Sequence, residues 1–229
     1  MSTTAEPRVS AGRMRLLVTG GTGVLGRAFL PLAGAAGHEL RSPGRAELDL
    51  FDPAAVRAGV RGVDAVLHLA TRIQPLDKMQ QPEAWRENDR LRAEASAILV
   101  TAALAADVQV FVQPTVTFVY PPDRPVSEET PIGDVPVILR SALVAERQAA
   151  CFAATGRRGV ALRLGLLDGP GTGHSRPNPA LGASLHVADA GCALLSALSV
   201  PSGVYNVCRD DERVSNHQFR EAACWHPRS

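Results

Sequence analysis

Three glycines with the spacing G-x-x-G-x-x-G lie in the stretch LVTGGTGVLG, residues 17–26. They follow a short apolar segment and open a segment with the pattern of a helix. Glycine allows a tight turn and a close approach to a pyrophosphate, and the first amides of a helix favour phosphate. The spacing therefore predicts a dinucleotide-binding loop, and the alternative is a glycine-rich turn that binds nothing. The predicted loop contacts are Gly20, Thr22, Gly23, Val24, Leu25 and Gly26.

Hydroxyl groups in the segment VQVFVQPTVTFVY are the candidates for catalysis. Thr115 and Thr117 alternate along a predicted strand, so their side chains share one face, and the Tyr120 phenol follows. Each of the three could orient or protonate a substrate, although none is a good acid near neutral pH without help. The alternative for the threonines is that β-branched residues simply suit a strand.

The elements that must position these residues alternate between apolar strands and helical segments. The pattern predicts an α/β fold, a Rossmann-like doubly wound parallel sheet with a reduced C-terminal substrate lobe. Strands are predicted in RLLVT, HELRSPGR (a poor edge strand, because of Pro43), AELDL, AVLHLA, VQVFVQPTV, VALRLG and VYNV. Helices are predicted over about 24–36, after Asp52-Pro53, over 82–106 and 139–154, in LHVADAGCALLSAL and near the C-terminus.

Charge and cysteine usage exclude several classes of partner. Lys+Arg total 24 and Asp+Glu 23, so net charge gives no reason to expect nucleic acid or a membrane surface. The cysteines are widely spaced without a metal-ligand pattern, so no metal is predicted and the thiols suit a reducing compartment. The N-terminal residues lack an apolar signal region and no apolar run could span a bilayer, which predicts a cytoplasmic protein.

Several segments occur in an order that resembles one enzyme family. TGGTGVLG, DAVLHLAT, VALRLGLLDGPG and SLHVADAGCALLSAL resemble, over nearly the whole folded chain, the extended short-chain dehydrogenases/reductases of the NAD(P)-dependent sugar epimerase/dehydratase group. The resemblance implies that Asp49 and Leu50 contact the adenine of the cofactor. It also implies that Leu69, Ala70 and Thr71, at a strand end, lie against a cofactor ribose.

The type of cofactor depends on the end of the second strand. An acidic residue there favours NAD, and an arginine favours the 2′-phosphate of NADP. Aligning GHELRSPGR on that strand places Gly44 at the acidic position with Arg45 beside it. The sequence thus favours NADP(H) over NAD(H), unless Arg45 is only a solvated loop charge.

The resemblance fails at the residues that carry hydride transfer in the family. Its members use a Tyr-x-x-x-Lys pair, in which the lysine lowers the phenol pKa and holds the nicotinamide ribose. Aligning PVILRSALVAE on that segment places Ile138 and Ala142 at the two positions. Misalignment does not explain this, because the one lysine is Lys78 and neither tyrosine is followed four residues later by lysine.

Two functions remain open from the sequence. The first is an NADP(H)-dependent oxidoreductase or epimerase-type enzyme of biosynthetic metabolism with a degenerate catalytic site and a small-molecule substrate. The alternative is a non-redox enzyme or a regulatory or scaffolding protein that keeps the nucleotide pocket.

The predicted organisation is a disordered leader (1–13), an NAD(P)-binding domain (14–165) and a small substrate lobe (166–229). The apolar helices 82–106 and 139–154 predict a homodimer, since a helix apolar on all sides must be buried on all sides.

Overall fold

A parallel sheet forms the centre of the molecule. The computed structural model describes residues 12–74, 78, 81–121 and 124–228, so residues 1–11 of the predicted leader lie outside the described residues. Six strands pair in the order β2-β1-β3-β4-β5-β8, and every pairing is parallel. Their bounds are β1 Arg15–Thr19, β2 Glu39–Arg41, β3 Ala65–His68, β4 Val110–Val116, β5 Arg158–Leu164 and β8 Gly203–Val207. The predicted doubly wound α/β fold is confirmed.

Helices cover both faces of this sheet because each strand alternates apolar side chains between two cores. One core joins Leu16 and Val18 of β1 to Phe29 and Leu194, and the other joins Leu17 to residues of the opposite helices. The first face carries α1 and α6, and the second carries α2, α4 and α5. The helices are α1 Val24–Ala35, α2 Pro53–Gly59, α3 Arg86–Arg90, α4 Ser96–Ala105, α5 Arg140–Ala153, α6 Val187–Ser196 and α7 His217–Ala223.

The topology opens a crevice at the carboxyl ends of β1 and β3. The chain leaves β1 for the edge strand β2 and returns on the other side of β1 as β3. Ligands of open α/β sheets bind at such a reversal of strand order. The glycine loop, which follows β1 directly, lies at this crevice.

One predicted strand is absent. AELDL, residues 46–50, forms turns instead of a strand. The amides of Glu47 and Leu48 donate to the Gly44 carbonyl at 3.0 and 3.1 Å, and the Glu47 carboxylate accepts the Gly44 amide at 2.7 Å. These local bonds use the backbone groups that a strand would need, so β2 remains the edge of the sheet.

The helix predicted over 82–106 changes type along its length. A 3₁₀ turn, Pro82–Trp85, leads into α3, a π turn follows at Leu91–Ala95, and α4 completes the segment. Such π turns are rare and occur often at functional sites, because they shift the register of the side chains that follow.

The segment predicted as a substrate lobe shares the core of the main sheet. Two short strands, β6 Leu166–Asp168 and β7 Ser184–His186, pair with each other, while β8 completes the six-stranded sheet. Leu185, Leu194 and Leu198 belong to the same buried cluster as Leu16. Among the helices in the described ranges, none is long and apolar enough to cross a membrane.

Candidate functional site

The glycine loop is built so closely that side chains are excluded from it. Gly20 adopts φ +74°, and a Cβ there would lie 2.5 Å from the Ala70 amide nitrogen. A Cβ on Gly26 would overlap the backbone of Gly21, and a Cβ on Gly21 would overlap the Ser42 hydroxyl. These close approaches join the end of β1, the start of α1 and the end of β3 into one rigid cradle.

The mouth of this cradle presents backbone amides. Gly23 precedes α1, has no side chain to cap it, and is exposed together with Thr22, while Val24 and Leu25 are half-buried. The first amides of a helix have no partner within that helix and carry partial positive charge. The loop therefore fits the pyrophosphate of a dinucleotide, and Gly20, Thr22, Gly23, Val24, Leu25 and Gly26 stay predicted contacts.

The end of β3 forms the opposite wall of the crevice. Leu69 is buried and its amide donates to the Thr19 carbonyl at 3.1 Å, while Ala70 is half-buried against Gly20 and Thr71 is exposed. The Arg72 amide donates to Asn88 Oδ1 at 3.0 Å, which ties this wall to α3. Leu69, Ala70 and Thr71 thus lie beside the glycine loop, where the prediction places a ribose.

The residues predicted for the adenosine end lie on exposed turns. Arg45 is exposed and pairs with Glu87 of α3 at 2.8 Å, which ties this turn to that helix. Asp49 is exposed and accepts the Phe51 amide at 2.9 Å, and Leu50 is half-buried. These three residues remain predictions as cofactor contacts.

A buried histidine connects the cradle to the π turn. One His68 ring nitrogen, Nδ1, lies 2.7 Å from the Thr19 hydroxyl, and the other, Nε2, lies 3.0 Å from the Leu91 carbonyl. Burial lowers the pKa of His68 to about 4, outweighing the opposing effect of the bond to Leu91. The ring is therefore neutral near pH 7 and serves as a fixed bridge.

Thr115 belongs to a buried ionic network on the α5 face of the sheet. Arg163 of β5 makes a two-pronged ion pair with Glu146 of α5, with nitrogen–oxygen distances of 2.8 and 2.6 Å. The Thr115 hydroxyl donates to the same carboxylate at 2.9 Å. Both carboxylate oxygens of Glu146 are thus occupied, and the Thr115 hydroxyl is engaged by one of them.

Tyr120 completes this network on its other side. Arg163 donates to the phenol oxygen at 2.6 Å, and the phenol donates to Asn206 Oδ1 of β8 at 2.9 Å. Burial raises the pKa of Tyr120, against the lowering effect of the Arg163 charge. The phenol is thus both fully hydrogen-bonded and a weaker acid than a free tyrosine.

Thr117 differs from the other two candidates. It is 5% exposed in the 3₁₀ turn that follows β4. No hydrogen bond joins its hydroxyl to another of the described residues. Of the three predicted catalytic hydroxyls, Thr117 alone is therefore not engaged by a neighbouring side chain.

The two positions aligned with the family's catalytic pair carry no chemistry. Ile138 is half-buried in a 3₁₀ turn, Val137–Leu139, and Ala142 is fully buried in the first turn of α5. Their side chains end in methyl groups, so neither can donate or accept a proton.

Sequence reasoning missed the centre of the network. Glu146, Arg163 and Asn206 were not among the predicted site residues, although an arginine within the apolar strand VALRLG is itself a signal of a buried partner. Sequence reasoning also missed Arg92. Its place in a predicted helix suggests a charge on the surface, but the residue is only 3% exposed.

Comparison with known proteins gives the family. Residues 16–203 match the NAD dependent epimerase/dehydratase family. The chain belongs to this family. A 3-diazoavenalumate denitrifying reductase from a Streptomyces species is 32% identical to this chain over an alignment of 237 positions. The alignment covers 86% of this chain and 77% of the relative.

Solved structures share the fold. RMD from Pseudomonas aeruginosa, complexed with NADPH, has a TM-score of 0.76 at 21% identity over 94% of each chain. A UDP-glucose 4-epimerase from Thermotoga maritima has a TM-score of 0.76 at 15% identity, again over 94% of each chain. With the intact cradle, family membership makes this chain a nicotinamide-dinucleotide enzyme of the oxidoreductase or epimerase type.

Proposed function

We propose that this protein is an NADP(H)-dependent reductase whose substrate accepts a hydride without receiving a proton from the enzyme. The main support is a contrast between two parts of the site. The glycine cradle for the cofactor is complete, whereas the hydroxyls of Thr115 and Tyr120 are already hydrogen-bonded to Glu146 and Arg163. A carbonyl substrate needs a proton donor as its oxygen becomes charged. Neither of these two hydroxyls is such a donor, because each is held in the network and burial raises the pKa of Tyr120.

A diazo-substituted aryl acid is the substrate class that fits this condition. The relative's name describes reduction of a diazo acid with loss of nitrogen. The glycine cradle would hold a dinucleotide that could supply a hydride, and the balanced change at the substrate would be Ar–N₂⁺ + H⁻ → Ar–H + N₂. Dinitrogen leaves as a neutral molecule, so the reaction consumes no proton from the protein.

The residues of this chain then have binding and positioning tasks. Thr117, with its free hydroxyl, lies at the end of β4 and orients the substrate. Ile73, Val137 and Leu181 are large apolar side chains exposed by 54%, 60% and 43%, in loops after β3, before α5 and between β6 and β7. These apolar positions support an aromatic substrate body in preference to a sugar.

Cofactor type and assembly belong to the same proposal. Arg45, on the turn that follows β2, favours NADP(H), because its exposed guanidinium could exchange its surface partner Glu87 for the 2′-phosphate. The protein acts as a cytoplasmic homodimer in which residues 82–106 and 139–154 of each subunit meet. Exposed Cys151 of α5 and Thr101 of α4 lie on that surface, and light scattering would report the mass.

A stopped-flow assay of NADPH oxidation tests the proposal. We expect oxidation with an aryl diazonium carboxylate and none with a keto acid or a 4-keto nucleotide sugar. Turnover of the ketone or the nucleotide sugar would overturn the claim that no acid is needed. Binding of NADPH without oxidation by any of the three would support the alternative of a non-redox nucleotide-binding protein.

A further inference from the structure

Three buried side chains, one each in α3, the π turn and the first turn of α5, keep polar atoms without a hydrogen-bond partner among the described residues, and these three elements pack against one another. They are Asn88 Nδ2, Arg92 Nε and Ser141 Oγ. Their residues are 0%, 3% and 7% exposed. We call these three residues the donor cluster, since an amide nitrogen, a guanidinium and a hydroxyl can all donate.

Arg92 is the least satisfied member. Within residues 12–74, 78, 81–121 and 124–228, its guanidinium makes no hydrogen bond or ion pair. The charges that act on it are Asp89 and Glu146, yet Glu146 gives both of its oxygens to Arg163 and Thr115. A buried guanidinium without a hydrogen-bond acceptor is costly, so this arrangement favours a further acceptor beyond the charges of Asp89 and Glu146.

The donor cluster lies next to the cofactor crevice. The segment 82–105 and α5 both follow parallel strands and pack side by side, with the π turn against α5. The Leu91 carbonyl, one residue before Arg92, is bonded through His68 to Thr19, which directly precedes Gly20. Ala142, next to Ser141, adds only a methyl group, and the α5 carboxylate that acts on Arg92, Glu146, is already bonded to Arg163 and Thr115.

We propose that the donor cluster binds the carboxylate of the substrate. A guanidinium and a carboxylate match in charge and in two-pronged geometry, and the amide and hydroxyl can take the remaining lone pairs. The hydroxyls of a cofactor ribose would accept hydrogen bonds but would leave the charge of Arg92 uncompensated. This inference deepens the proposed function by one property of the substrate, its carboxylate, and binding can be measured without turnover.

The experiment compares Arg92→Met with Arg147→Met, which makes the same change at an exposed position of α5. Each protein, saturated with NADP⁺, is titrated by calorimetry with cinnamate and with cinnamamide, which lacks the charge. Wild type and Arg147→Met should prefer cinnamate by about tenfold or more, since a charge-assisted hydrogen bond contributes that factor. Arg92→Met should lose the preference, and Arg92→Lys should keep part of it.

Melting temperature separates a binding role from a structural one. Removing an unpaired buried charge should leave the melting temperature of Arg92→Met unchanged or raised. A lower melting temperature with an unchanged cinnamate preference would show that Arg92 is structural and would overturn the proposal. A wild-type protein without a preference for cinnamate would overturn it equally.

Two further comparisons distinguish binding of a substrate carboxylate from binding of a cofactor ribose and from the proposed reaction. If Arg92→Met weakens NADPH binding but not binding of 2′,5′-ADP, the cluster holds the nicotinamide-side ribose, and the carboxylate proposal is wrong. If the cinnamate preference follows Arg92 while no variant reduces a diazonium acid, the donor cluster stands and the proposed reaction fails.

Discussion

The two ends of the crevice are built on opposite principles. At β1, backbone alone makes the site: Gly20, Gly21 and Gly26 are so tightly placed that any side chain would collide. At β4 and α5, side chains fill the site, and Glu146 and Arg163 occupy each other's hydrogen-bonding capacity. A backbone site stays available to a ligand, whereas the satisfied side-chain network is a structural element that engages the hydroxyls of Thr115 and Tyr120.

The largest expected effect comes from breaking the side-chain network. Glu146→Leu leaves Arg163 buried without its partner, which should lower the free energy of unfolding by about 3–5 kcal/mol. Glu94→Leu is the matched control, because Glu94 pairs with Arg90 on the surface and should change stability little. Urea denaturation measures both, and equal effects would show that the buried pair is not structural.

His68 links the cradle to the π turn and should make stability depend on pH. Its folded pKa of about 4 lies below the value of about 6.5 for an unfolded histidine, so the folded state prefers the neutral ring. The stability contribution, about 3 kcal/mol, is complete above pH 6.5 and lost as the pH falls through 4. Urea denaturation between pH 7 and 4 should show a flatter profile in His68→Asn, but the wild-type profile in the exposed variant His226→Asn.

Two glycines of α1, one inside the cradle and one outside it, test whether the cradle binds the cofactor. Gly26→Ala places a methyl group against the Gly21 backbone and should weaken NADPH binding by a hundredfold or more, about 2.7 kcal/mol. In Gly34→Ala the new Cβ lies 3.7 Å from Leu40, an ordinary contact, so binding should persist and the helix should gain about 0.5–1 kcal/mol. Equal NADPH affinities in the two variants would contradict the assignment of the glycine cradle as the cofactor site.

The two threonines of the β4 segment should respond differently. Thr115→Val removes the bond to Glu146 and should cost about 1 kcal/mol of stability while preserving hydride transfer. Thr117→Val should leave stability unchanged but lower kcat/KM about tenfold, equivalent to about 1.4 kcal/mol. Thermal melting and NADPH oxidation measure the two, and a reversed pattern would place Thr115 in the reaction.

Removing the Arg45 side chain should have an effect of about the same size, but only on the binding of NADPH. Arg45→Ala should weaken NADPH binding about tenfold and leave NADH binding unchanged, since only NADPH carries the 2′-phosphate. Calorimetry with both dinucleotides checks this, and parallel losses would contradict a contact with that phosphate.

The sequence predicted the parts of this molecule that depend on local spacing. The glycine loop, the alternation of strands and helices and the helix after Asp52 follow from neighbouring residues, and Asp52 does accept the Ala54 amide at 2.8 Å. AELDL has an acceptable strand pattern, yet a local turn at Gly44 uses its amides. The network of Glu146 and Arg163 depends on α5 packing over β5, which no local pattern encodes.

The number of dinitrogen molecules released per NADPH oxidised tests the central claim most directly. A single turnover with a nitrogen-labelled aryl diazonium carboxylate, followed by mass spectrometry of the gas, gives this ratio. We predict one dinitrogen per NADPH, with a rate that stays constant around neutral pH, because no acid of the protein takes part. NADPH consumption without dinitrogen, or a rate that falls to zero with the titration of a single group, would contradict the account.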